Sequence, residues 1–164
     1  MEITIKSKRG LFKCLYDDQD HALLSKHRWH LTATGYAGTN VCINGKKTVL
    51  LMHSLLLGLF LQKGLVADHK NRNKLDNRRG NLRVCTRAEN NRNTSPYGAT
   101  GFIGVVYNKL TENGKTRTYI KAQIRVNNKN ISLGNFKTLE DAARARDAAS
   151  RKYFGEFASL NFPD

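Results

Sequence analysis

The chain has 164 residues, room for one good-sized domain or two small ones. Its 28 Lys+Arg against 13 Asp+Glu give a formal charge of +15, which favours a polyanion, most commonly nucleic acid. The longest apolar run, Leu55 to Leu61, is too short to cross a bilayer, and the polar start MEITIKSKRG lacks the pattern of a signal peptide, so no membrane partner is expected.

The basic residues are spread evenly: eight in 1–50, nine in 51–100 and eleven in 101–164. That distribution describes a long binding surface and not a tethering arm. The three cysteines, Cys14, Cys42 and Cys85, are far apart and read as small buried apolar residues in a reducing compartment, here the cytoplasm. A structural zinc site would need more ligands close together.

Residues Glu2–Ile5 and Gly10–Tyr16 alternate in polarity and predict a hairpin. Asp17, Asp18 and Asp20 form a polar corner, read as solvated because the calcium-loop pattern is missing. A short helix or turn is expected over Ser25–Trp29, and strands over 35–43 and Lys46–Met52, joined by the Asn44-Gly45 turn signal. His53 then opens HSLLLGLFL, expected to be a helix under the site that follows. His53 itself reads as a core-edge histidine or as support for that site.

The stretch from Leu65 to Asn93 carries the chemistry. Val66-Ala67 leads into Asp68-His69; a turn-rich loop follows; Asn81 to Cys85 forms a second strand. Thr86 with Glu89 three residues on is a capping-box pattern, so a short helix bearing Asn90, Asn91 and Asn93 comes next. Phosphodiester hydrolysis needs an activated water and relief of charge on the phosphate. A histidine can take a proton near neutral pH, and a carboxylate with an amide oxygen can hold a hard cation. Asp76 and Asn77 read as shaping the loop. Arg78, Arg79 and Arg83 are among the basic residues clustered there and read as phosphate contacts.

The block DHKNRNKLDNRRGNLRVCTRAENNRN resembles the HNH homing endonucleases, in the phage-type subgroup with Asn in place of the last His. The resemblance implies a ββα-metal fold with Asp68 and Asn90 as ligands of one divalent metal. It implies His69 as general base and Asn81 as the brace of the catalytic loop. An amide oxygen at Asn90 suits Mg²⁺ or Mn²⁺ better than zinc or nickel.

Thr94 to Gly101 break both periodicities and mark a linker. Beyond it, strands are expected over Gly101–Asn108, Thr118–Val126 and 130–136, with a long turn at LTENGKTR. A helix capped by Thr138 and closed by Gly155 should lie on the sheet through Ala142, Ala145, Ala149 and Tyr153. The other sheet face then carries Lys121, Gln123 and Arg125 with Asn130 and Ser132, residue types that read base edges. The run GVVYN to LNFP, with LGNFKTLEDAARA and GEFASLNFP, resembles the Apetala/ethylene-response-factor DNA-binding domain. That family lays its sheet in the major groove. Val106, Ser132 and Arg146 depart from its usual residues, so its target sequence does not carry over.

The sequence thus predicts an α+β chain. A nuclease domain with β-hairpin support spans 1–93, its ββα-metal core at 65–93; a linker spans 94–101; a three-stranded antiparallel sheet on one helix spans 102–164. The expected activity is site-specific, metal-dependent cleavage of double-stranded DNA by a monomer, in a bacterial or phage-infected cell, from a mobile element. The alternatives are a DNA-binding regulator with a non-catalytic HNH scaffold and an RNA-binding helper.

Overall fold

The structure, a computed structural model, describes residues 1–60, 62–93 and 99–163. Leu61, the last residue of the apolar run, and Thr94–Gly98 of the expected linker lie outside the described residues. The chain forms two compact units, Met1–Asn90 and Asn91–Asp164.

In the first unit β1 (Glu2–Ser7) and β2 (Gly10–Leu15) pair as the expected hairpin. The next helix, α1 (His21–Leu24), lies earlier than Ser25–Trp29. The aspartate corner coils into the 3-10 turn Asp18–Asp20 and runs directly into it. A two-residue strand, β3 (His30–Leu31), joins β1 to β4 (Ala37–Ile43), and β4 pairs with β5 (Lys46–Leu51). The β4–β5 turn is Asn44-Gly45, both at positive φ (48° and 76°), the backbone of a type I′ hairpin. The sheet order is β2-β1-β3-β4-β5.

The helix after it, α2 (Met52–Leu56), is shorter than HSLLLGLFL suggests, because Gly58 turns into the left-handed region (φ 66°) and ends it. A second, two-stranded sheet pairs β6 (Leu65–His69) with β7 (Leu82–Thr86), and α3 (Arg87–Asn90) follows. Thr86 and Glu89 form the capping box reciprocally: the Thr86 amide donates to the Glu89 carboxylate at 2.7 Å and the Glu89 amide donates to Thr86 Oγ1 at 3.3 Å. One core serves the whole unit. Ile5, Cys14, Tyr16, Leu24, Trp29, Met52 and Leu56 enclose Leu82 from β7, so the small sheet is seated on the large one. Each such side chain contributes about 1.5–3 kcal/mol of burial. Cys14 and Cys85 are buried as expected; Cys42 is exposed, against the expectation, because its side chain leaves β4 on the solvent face.

In the second unit β8 (Val105–Glu112), β9 (Lys115–Val126) and β10 (Lys129–Phe136) form an antiparallel sheet of order β10-β9-β8. The first strand starts later than Gly101, since Gly101 and Gly104 both sit at positive φ. The long turn is in fact a two-residue one: Asn113-Gly114 (φ 50° and 73°) lets β8 and β9 run through the intervening threonines. The helix α4 (Leu139–Phe154) is capped by Thr138, whose Oγ1 accepts from the Asp141 amide at 3.1 Å.

The buried face of α4 differs from the alanine stripe. It is Ala142, Ala143, Arg146, Asp147 and Ser150, while Tyr153 is exposed. The reason is a buried polar network around Arg146 and Asp147. Asp147 accepts from the amides of Asn161 and Phe162 (2.8 and 2.9 Å), and Arg146 donates to the Ser159 carbonyl. Asn161 in turn exchanges hydrogen bonds with Ile103 through its side chain, tying the LNFP tail across the unit.

Gly104 illustrates how tightly this unit is closed. A Cβ there would stand 2.5 Å from the Gln123 carbonyl oxygen and 2.9 Å from Arg146 Cγ, at φ 71°. Gly104→Ala is expected to destabilise the unit by about 3 kcal/mol. Circular dichroism in urea should show the loss, while fluorescence of Trp29, the chain's single tryptophan and a core residue of the first unit, stays unmoved.

Candidate active site

β6 ends in Asp68-His69. Neighbouring side chains of a strand leave on opposite faces, and both of these are buried. Asp68 faces Arg83 across the β6–β7 ladder and pairs with it, Nε and a terminal nitrogen at 2.9 and 2.7 Å from Oδ2. His69 faces the interior. Its Nε2 lies 3.2 Å from Asn77 Oδ1, and its ring packs edge-on against His53 at 5.0 Å between centroids. Tyr36 completes the cluster, 5.0 Å from His53 and 5.9 Å from His69, with Lys74 Nζ 4.8 Å above its ring.

Burial pushes the His69 imidazole below its ordinary pKa, opposed by the Asn77 hydrogen bond and the charges of Asp68 and Asp76. A neutral imidazole at neutral pH is able to accept a proton. The Tyr36 phenol is raised by burial and by the charge of Asp68 and so stays protonated. His53 is pushed down to about 4 by burial, with His69 a smaller contributor.

In the unfolded chain His53 titrates near pH 6.5, so protonation favours unfolding. The stability of the neutral form is fully present above about pH 6.5, drains away as pH falls through that value, and is lost below about 4. The interval corresponds to about 3 kcal/mol. Urea midpoints read from Trp29 fluorescence should fall between pH 7 and pH 4.5, and His53→Phe should flatten that slope.

The loop between the strands is built by its asparagines. Asn81, in the 3-10 turn Arg79–Asn81, accepts from the Asn71 amide at 3.0 Å through Oδ1 and donates to the Asp76 carbonyl at 2.7 Å through Nδ2. Asp76 is fully enclosed and held by Arg78 and by Asn71 Nδ2. The aspartate corner proves to be a clamp on this loop. Asp20 is buried and takes Arg79 through both oxygens, and Asp17 accepts from the Arg79 amide at 2.7 Å.

Of the arginines expected at phosphates, Arg83 is only 13% exposed, whereas Arg78 and Arg79 pair internally yet stay 54% and 44% exposed. Arg78 also lines an open cleft with Lys70, Asn71 and Asn81. Asn90 lies at the end of α3, which packs against β6, the strand that carries Asp68. Among the described residues no group of three or more His, Cys, Asp or Glu could form a metal cage. The two ligands expected from the sequence, Asp68 and Asn90, stand in β6 and at the end of α3. Two protein oxygens, with water and phosphate completing the sphere, are a set that suits Mg²⁺.

In the second unit Lys121, Gln123 and Arg125 lie on the face opposite Ala122 and Ile124, which are buried beneath α4. Asn130 pairs with Arg125 and Ser132 with Gln123, so all five predicted residues share one face. A bulge after Ser132 then shifts the register by one residue and adds Asn135, opposite Lys121. Sequence reasoning missed Asn135, because the bulge inverts the alternation. It also missed Tyr36, which reads as an ordinary strand aromatic, and the contact of Asn77 with His69.

Residues 58–92 match the model of the family described as HNH endonuclease. The chain is also 29% identical, over 139 residues, to a protein of Acanthamoeba polyphaga mimivirus named as an uncharacterized HNH endonuclease; the alignment covers 85% of this chain and 69% of that protein. No solved structure matches the chain. The matched segment contains Asp68, His69, Asn81 and Asn90, and the class these likenesses support is a nuclease.

Proposed function

We propose that the chain is a metal-dependent DNA endonuclease of homing type, with His69 as general base and Asp68 and Asn90 as ligands of one Mg²⁺ or Mn²⁺. The observation that carries this reading is the buried Asp68-His69 pair at the end of β6, inside the segment that matches the HNH endonuclease model. When bound, the metal supplies positive charge to the phosphate and to the departing oxygen. His69 takes the proton of a water as that water attacks phosphorus. Asn81 keeps the loop in shape, Arg83 sets the Asp68 carboxylate, and His53 and Tyr36 wall the imidazole from solvent. Lys70, Arg78 and Arg79 are the proposed contacts to the phosphate backbone, supported by the open cleft that Lys70 and Arg78 line and by the exposure of Arg79.

The second unit is proposed to be an Apetala/ethylene-response-factor-like reader that enters the major groove with Lys121, Gln123, Arg125, Asn130 and Ser132. Their common face supports this, with Arg125, Asn130 and Ser132 exposed and Lys121 and Gln123 half-buried, as does the apolar packing of the opposite face. A monomer acting in the cytoplasm of a bacterial or phage-infected cell, with one active site and hence a nick as its elementary product, completes the reading. Among the described residues no helix is long and apolar enough to cross a membrane.

A supercoiled plasmid library incubated with the protein tests it. Conversion to open circles with Mg²⁺ or Mn²⁺, and none with EDTA, is the expected outcome. Retained duplex binding without conversion, on DNA from the gene's own surroundings, would favour the non-catalytic regulator.

A further inference from the structure

On the nuclease reading above, we propose that Asn77 is a positioning residue that holds the His69 imidazole with its hydrogen on Nε2, and that Cys14 fixes which way the Asn77 amide faces. Asn77 and Cys14 are both completely buried. Asn77 Nδ2 lies 3.1 Å from Cys14 Sγ, and the Cys14 thiol points at Met52 Sδ, 3.6 Å away. A thiol that donates its hydrogen to Met52 presents lone pairs to Asn77 and so takes the donating end of the amide. The accepting end, Oδ1, is then the atom 3.2 Å from His69 Nε2. An oxygen acceptor at that distance calls for a hydrogen on Nε2, which puts the basic lone pair on Nδ1. An amide does this without adding a charge to a buried site.

The relay is rigid at both ends. The Asn77 backbone N–H donates to the Leu15 carbonyl at 2.8 Å, and the Leu15 backbone N–H donates to the Leu75 carbonyl at 2.8 Å. Leu15 and Asp76 form a parallel bridge, so β2, which carries Cys14, and the loop that carries Asn77 are one piece. The neighbouring carboxylate that could compete for the imidazole, Asp76, is turned to Arg78 and Asn71. Asn77 thereby does for His69 what a second layer of hydrogen bonds does for metal-bound histidines: it selects the tautomer and the ring orientation.

The test is a two-bond ¹H–¹⁵N spectrum of the ¹⁵N-labelled full chain at pH 8, with His69 assigned by its loss in His69→Gln. The expected pattern is a hydrogen-bearing Nε2 and a bare-type Nδ1 shift; the reverse pattern would overturn the proposal. Asn77→Leu keeps the approximate volume and removes both ends of the relay. It should scramble the His69 pattern and lower kcat for plasmid nicking by about tenfold to a hundredfold, with KM for DNA unchanged. Asn77→Asp keeps an acceptor oxygen, towards which the Cys14 S–H can turn, and should restore the Nε2–H pattern and most of the turnover. Wild-type turnover and pattern in Asn77→Leu would overturn the proposal. If Asn77→Leu fails to fold by Trp29 fluorescence, the wild-type spectrum and Asn77→Asp decide. A chain with the expected spectrum and no cleavage overturns the nuclease reading alone; cleavage with the reversed tautomer overturns the Asn77 assignment alone.

Discussion

Asp68→Asn is expected to slow cleavage by about a thousandfold, equivalent to about 4 kcal/mol of transition-state stabilisation. The substitution is chosen because it separates two jobs of one side chain. Asp68 is buried and paired with Arg83, so its removal by alanine would also leave a mostly enclosed guanidinium without that carboxylate. Asparagine preserves an oxygen facing Arg83 Nε and removes only the negative charge that a divalent cation needs. The expected signature is a near-normal urea midpoint, normal duplex affinity, weakened Mn²⁺ binding and lost turnover. Equal turnover in Asp68→Asn and wild type would remove Asp68 from the metal site.

The second large effect is on stability. Asp147→Ala should destabilise the second unit by about 3–5 kcal/mol, enough to unfold most of a unit of this size. Its carboxylate gathers the Asn161 amide, the Asn161 side chain and the Phe162 amide, and it neighbours the buried Arg146. Alanine removes every one of these acceptors and leaves an enclosed charge beside the cavity. Hydrogen exchange should show β8 to β10 losing protection while Trp29 fluorescence still reports a folded first unit. Duplex affinity should fall with it if the sheet face reads DNA. A variant that keeps both protection and affinity would show that the tail is held by other means.

These effects differ in how visible they are before folding. Asp68, His69, Asn81 and Asn90 stand at motif spacing, and the strand–loop–strand–helix order around them follows from local turn and capping chemistry, which a sequence carries in full. The Asn44-Gly45 and Thr138 signals were legible for the same reason. What was hidden depends on contacts distant in sequence. Asp17 and Asp20 reach Arg79 across about sixty residues, so a corner that reads as solvated is a clamp on the loop between β6 and β7. Cys14 and Asn77 are 63 residues apart, and nothing local ties a strand cysteine to a loop amide. The buried network of Arg146 and Asp147 with the LNFP tail is likewise tertiary, its partners 13 to 15 residues away. Helix lengths were overestimated at α2 because the apolar run continues past Gly58, whose positive φ ends the helix regardless.

The proposed role of His69 as the base of a DNA-cleaving site is tested by single-turnover conversion of a supercoiled plasmid carrying the target region, in Mg²⁺, with wild type and His69→Ala side by side. Open circles are expected from wild type, at least about a thousandfold fewer from His69→Ala, and equal duplex binding by both. Cleavage by His69→Ala at the wild-type rate would contradict it.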